Sequence, residues 1–184
     1  KLHSILRSCP DMVPFAAPHF KKVLTVAGLY SKTADVKIVE ILFWLCASDS
    51  TNEIVQGLLG MLGKRDPELA PLICERLLIL AERGMEANAQ WYSEIVIRVL
   101  SISGNFVPDS NVRVFIQTVL GDRFIQPFAA KLLTQFGCDP SSYSSDSYAL
   151  ASALVLRHCG ILVAEDPGTR FVLFLHFVRS LTRL

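Results

Sequence analysis

Apolar residues recur three and four positions apart along this chain, stretch after stretch, and a glycine or proline closes most of the stretches. Leu69, Leu72, Ile73, Leu77, Leu80 and Ala81 show the spacing clearly, as do Ile54, Val55, Leu58, Leu59 and Leu62. This is the period of a helix with one face turned to a core. The pattern predicts helices over 2–9, 18–30, 34–47, from Thr51 onward, and over 67–82, 88–103, 109–120, 123–136, 148–159 and 167–184. Val36, Val39, Phe43, Leu45 and Cys46 are expected on one side of the 34–47 helix. Trp91, Ile95, Val96, Val99, Leu100 and Ile102 are expected to form the inward stripe of 88–103. No strand-period alternation competes, so the expected class is all-α.

Gly63, Gly84, Gly104, Gly121, Gly137 and Gly160 each follow one of these stretches, 16 to 23 residues apart. Glycine is favoured just past a helix end because it takes the left-handed conformation at little cost. Asp66-Pro67, Pro108-Asp109-Ser110 and Asp166-Pro167 then read as starts, with Asp capping free N–H groups and Pro tolerated at the first helical position. Pairing the helices gives units beginning near residues 34, 67, 109 and 146. Steps of that size suit HEAT- or armadillo-like repeats, which predicts a right-handed α-solenoid whose units pack on their neighbours. The whole of 1–184 is expected to be a single solenoid segment, with the polar run Ser141 to Ser147 as its best candidate for a loop.

The hydrophobic share is 51% and the mean hydropathy +0.39. The densest apolar runs, Ile41 to Ala47 and Phe171 to Val178, fall far short of the roughly 18–20 residues of a membrane span. Apolar excess in a helical array implies surface that other subunits cover. Charge is nearly balanced, 18 Lys plus Arg against 17 Asp plus Glu, without the basic excess of a nucleic-acid binder. Lys21-Lys22 and Lys64-Arg65 read as solvated helix ends, with contact to acidic headgroups or a partner as the alternative. Cys9, Cys46, Cys74, Cys138 and Cys159 are odd in number, widely spaced and without C-x-x-C, a reduced intracellular pattern rather than a disulfide frame. The chain begins without Met and stops inside an apolar pattern, so it is expected to be a piece of a longer polypeptide.

Little in the residues points to catalysis. His3, His19, His158 and His176 are unpaired at helical spacing, and neighbouring His158 and Cys159 diverge on a helix. The run Gly57, Gly60 and Gly63 lacks a preceding strand and reads as a flat helix face rather than a phosphate cradle. Glu82 and Glu86 are helix-end charges, and Trp91-Tyr92 is read as core rather than as a stacking platform. No catalytic, cofactor-binding or metal-ligating residue is assigned, no cofactor is expected, and no binding residue can be named.

From Thr33 onward the chain resembles the trunk of the adaptins, the large chains of clathrin adaptor complexes. Ala34 to Leu59 (ADVKIVEILFWLCASDSTNEIVQGLL) is similar to the adaptin segment in which a helix ending in a small residue and Cys leads to an Asn-containing turn and an Ile-Val helix. Glu68 to Val107 matches best: a Leu-Ala-Glu-Arg turn, Trp91-Tyr92, and an Ile/Leu helix ending in Gly104 before Phe106-Val107. Arg113 to Leu133 is similar to the alpha type, whose Tyr-Ala-Ala-Lys helix has its counterpart in Phe128, Ala129, Ala130 and Lys131. The gamma type shares the centre, including an Arg-Val-Leu like Arg98 to Leu100, but not that feature. The match is strongest over 33–137. The family's Gly-Glu-aromatic-Gly stands here as Arg157, His158, Cys159 and Gly160, a departure.

The resemblance implies a non-enzymatic scaffold for cargo sorting and vesicle-mediated transport. Its partners would be a small chain, the N-terminal domain of a medium chain and a second large chain. Membrane association would be indirect, through the complex, on the cytosolic face of the plasma membrane or of Golgi and endosome membranes, with no nucleic acid and no small-molecule substrate. A gamma-like or coatomer-like large chain and an unrelated HEAT-repeat regulatory scaffold are the alternatives. The lipid-binding helices known at the start of the alpha trunk have no counterpart here, so no lipid or cargo residue is carried over.

Overall fold

A computed structural model of the chain describes residues 1–29, 31–46, 51–64, 66–103, 106–123, 125–127, 129, 151–152, 154–155 and 157. Among these, helices α1 (Leu2–Ser8), α2 (Val13–Ala16), α3 (Phe20–Thr25), α4 (Lys32–Trp44), α5 (Thr51–Leu62), α6 (Ala70–Gly84), α7 (Ala89–Ser103) and α8 (Asp109–Gly121) follow one another. No strand occurs among the described residues, and the succession of helices is the all-α, solenoid-type class expected. The expected loop at Ser141 to Ser147, the helix 167–184, the stops at Gly104, Gly137 and Gly160, and His158, Cys159 and His176 lie outside the described residues. So do most of the expected helices 123–136 and 148–159. The chain forms two compact units, Lys1–Leu77 and Leu78–Leu184.

In the first unit, Pro10, Pro14 and Pro18 each fall at the opening of a short piece: a 3-10 turn at Pro10–Met12, α2, and a second 3-10 turn at Ala17–His19. Proline removes a helical donor and disfavours the helical conformation in the residue before it, so no long helix survives here. The expected helix over 18–30 is therefore only α3, closed by turns through Gly28. Gly28 alone among the described glycines has a positive φ, 80°. Its N–H donates to Asp35 Oδ1 at 2.8 Å, which ties this left-handed turn to the first turn of α4.

On α4 the buried side is Ile38, Ile41, Leu42 and Leu45, with Val39 beside it. Val36 is exposed and Phe43 half-buried, so the face expected from Val36, Phe43 and Cys46 is rotated from the true one. Seven of the eight residues from Ile38 to Leu45 are apolar, which leaves periodicity little contrast with which to choose a face. On α5 the expected stripe of Ile54, Val55, Leu58, Leu59 and Leu62 is buried throughout, and Met61 joins it. Each such aliphatic side chain contributes roughly 1.5–3 kcal/mol through burial. Gly57 on α5 gives room to Leu24, since a Cβ at this position would stand 2.5 Å from Leu24 Cδ2. Gly60 faces open space and Gly63 follows the last turn, so only one of the three glycines makes a close approach.

Asp66 begins the next helix as its spacing predicts. Its Oδ1 accepts from Glu68 N at 2.9 Å and its carbonyl accepts from Ala70 N at 2.8 Å, so the capping precedes the regular helix by one turn. Ile73, Cys74 and Leu77 are buried on the first part of α6.

In the second unit Asn88 caps α7 by accepting from Trp91 N at 2.9 Å. Tyr92, Ile95, Val96, Val99 and Leu100 line its buried side, while Trp91 is half-buried. Of the two neighbours the buried aromatic is thus Tyr92, whose ring centroid lies 6.3 Å from that of the equally buried Phe115 on α8. Trp91 instead lies against Gly84: a Cβ there would stand 2.5 Å from its Cζ3. Gly63, Gly84 and Gly121 do not adopt the left-handed conformation expected of helix stops. At α8 the N-cap is Pro108 with no side-chain cap bond, which places Asp109 at the first helical position rather than at the cap.

Candidate functional site

The most chemically varied surface of the first unit lies where α4 and α6 present matching flanks. Burial of Ile38, Ile41, Leu42 and Leu45 turns Val36, Glu40 and Phe43 outward along one flank of α4. Burial of Ala70, Ile73, Cys74 and Leu77 does the same for Leu72 and Arg76 on α6 and for Leu69 just before it. Residues spaced by three or four share a flank, so each set forms a row on its own helix.

Arg76 joins the rows. Its Nε and Nη2 both donate to Glu40 Oε1, at 3.1 and 2.9 Å, and its Nη1 donates to Glu75 Oε1 at 3.4 Å. The guanidinium carbon stands 4.9 Å from the centroid of the Phe43 ring, within cation–π range. Both partners of the Arg76–Glu40 pair are about one-fifth exposed, so the pair is far less screened than a surface one. Trp44 meets Phe43 edge to face, with centroids 6.4 Å apart.

At the start of the rows Lys32 Nζ lies 3.1 Å from Glu68 Oε2 and 3.7 Å from Asp66 Oδ2. The bond to Glu68 above all, aided by the nearby charge of Asp66, keeps this ammonium protonated to higher pH than an ordinary lysine. These residues, with Asp35, Val36 and Leu69, line a dimple of about 30 Å³. That is the space of one water molecule, too small for an organic ligand. In the second unit Leu78, Glu82, Tyr92, Val96, Asn111 and Phe115 surround an even smaller void of about 10 Å³. Burial raises the ionisation of the Tyr92 hydroxyl above the ordinary tyrosine range, with a smaller opposing effect from the Thr118 hydroxyl.

Among the described residues no group of three His, Cys, Asp or Glu side chains stands close enough to hold a metal ion. No helix among them is long and apolar enough to cross a membrane. Cys9 is exposed, Cys46 half-buried and Cys74 buried, and none of the three is in a disulfide. The apolar excess read from composition emerges on the surface of the first unit at Phe15, Leu29, Ile5 and Met12. The Arg76–Glu40 pair escaped the sequence reading because its members lie 36 residues apart, and no local spacing connects them.

Comparison with known proteins gives the class: the chain is similar to large subunits of adaptor complexes. It is 24% identical over 151 residues to the AP-2 complex subunit alpha-2 of Dictyostelium discoideum, covering 80% of this chain and 15% of that protein. It is 25% identical over 141 residues to the AP-2 complex subunit alpha-1 of Arabidopsis thaliana, covering 74% of this chain and 14% of the relative. A gamma subunit of the AP-1 complex, from Dictyostelium discoideum, is 26% identical over 106 residues, 55% of this chain. No family model matches. The chain thus spans about one-seventh of the length of the alpha subunits that it resembles, and the resemblance is to the adaptin trunk expected from the sequence.

Proposed function

We propose that this chain is a segment of the trunk of an adaptor-complex large subunit of the alpha type, and that it acts as a scaffold rather than an enzyme. Similarity to alpha subunits over about three-quarters or more of the chain carries this reading. The helical succession and the balanced charge agree with it. In this reading 1–184 is one stretch of a longer right-handed solenoid. It holds the small chain, the N-terminal domain of the medium chain and the second large chain. The assembled complex sorts cargo into vesicles at the cytosolic face of the plasma membrane and associates with the membrane indirectly. Small rotations between successive helix pairs would add up to opening or closing of the trunk.

The resemblance to a gamma subunit favours a second reading, a large chain of Golgi and endosome traffic. Co-expression with the small chain and the medium-chain N-terminal domain of each complex, followed by size-exclusion chromatography, separates the two. Co-elution with the endocytic pair alone is the expected result. Co-elution with the Golgi pair alone moves the chain to the gamma type, and failure with both removes the adaptor reading.

A further inference from the structure

We draw no further inference here: the strongest candidate, the exposed apolar side chains of Leu2, Ile5, Met12, Phe15 and Leu29 from α1 to the turn after α3, carries none because nothing in the structure shows what covers them.

Discussion

The ring of Trp91 lies over Gly84 so closely that a methyl group on this glycine would stand 2.5 Å from Cζ3 and 2.9 Å from Cε3. Gly84 ends α6 and Trp91 opens α7, and the turn between them is short. The glycine is there for clearance rather than for an unusual backbone conformation. Gly84→Ala is expected to destabilise the chain by about 1–3 kcal/mol, because the overpacking strain exceeds the gain in helix propensity. Trp91→Ala is expected to cost about 2–3 kcal/mol, less than a fully buried aromatic. The double variant should be more stable than the sum of the two changes implies, as measured by urea unfolding. A Gly84→Ala variant more stable than wild type would refute the contact.

Gly57 and Gly60 lie one turn apart on α5 and should respond differently. Gly60 meets nothing within 4 Å and is exposed, so Gly60→Ala should stabilise by about 0.5–1 kcal/mol through helix propensity alone. At Gly57 the added methyl strikes the end of Leu24, and displacement of that side chain cancels or reverses the gain. Equal stabilisation by both changes in thermal unfolding would show that α3 does not pack where the structure has it.

Glu40 accepts two donors of Arg76, and truncating it leaves a half-buried guanidinium without its main partner. Glu40→Ala should cost about 1.5–3 kcal/mol, the range for bonds to charged groups. Glu40→Gln should recover part of that loss, because the amide oxygen can still accept. Arg76→Lys should not substitute well, since an ammonium cannot make the paired donation or lie flat on Phe43. Denaturant midpoints of the three variants check this ordering.

The raised ionisation of Tyr92 has a definite sign. The unfolded chain releases this proton near pH 10, before the folded chain does, so the stabilisation from the neutral buried hydroxyl is intact below that pH and is lost as pH rises above it. Lys32 acts in the same alkaline direction, from a fully solvated position. Tyr92→Phe should therefore flatten the decline in stability above about pH 10 while changing little at neutral pH. Parallel curves for wild type and variant would disprove this account.

How much of this could be read in advance depended on local contrast. The stripe on α5 was legible because polar Asn52, Glu53 and Gln56 alternate with the apolar positions at helical spacing. α4 offered no such contrast, and its inward face came out rotated. The cap at Asp66 was legible as local chemistry, whereas Asp109 was not the cap expected, because the chain turns one residue earlier at Pro108, and the Asn88 cap was not singled out in the sequence. The identity of the buried aromatic at the start of α7 turned on a single residue, Tyr92 rather than Trp91. That choice is made by the position of Gly84 and Phe115. The α4–α6 surface was invisible in the sequence, since its central pair is long-range and its aromatic residues read equally well as core.

The Arg76–Glu40 pair also constrains how this chain can change over generations. Arg76 sends two donors to Glu40 and sets its guanidinium over the Phe43 ring, so a substitution at either position alone leaves a half-buried charge without its main partner. The low-cost route replaces both residues, exchanging an ionic cross-brace for an apolar one. Lineages that abandon it should do so at positions 40 and 76 together, and the intermediate with one partner missing should be the form that natural selection discards.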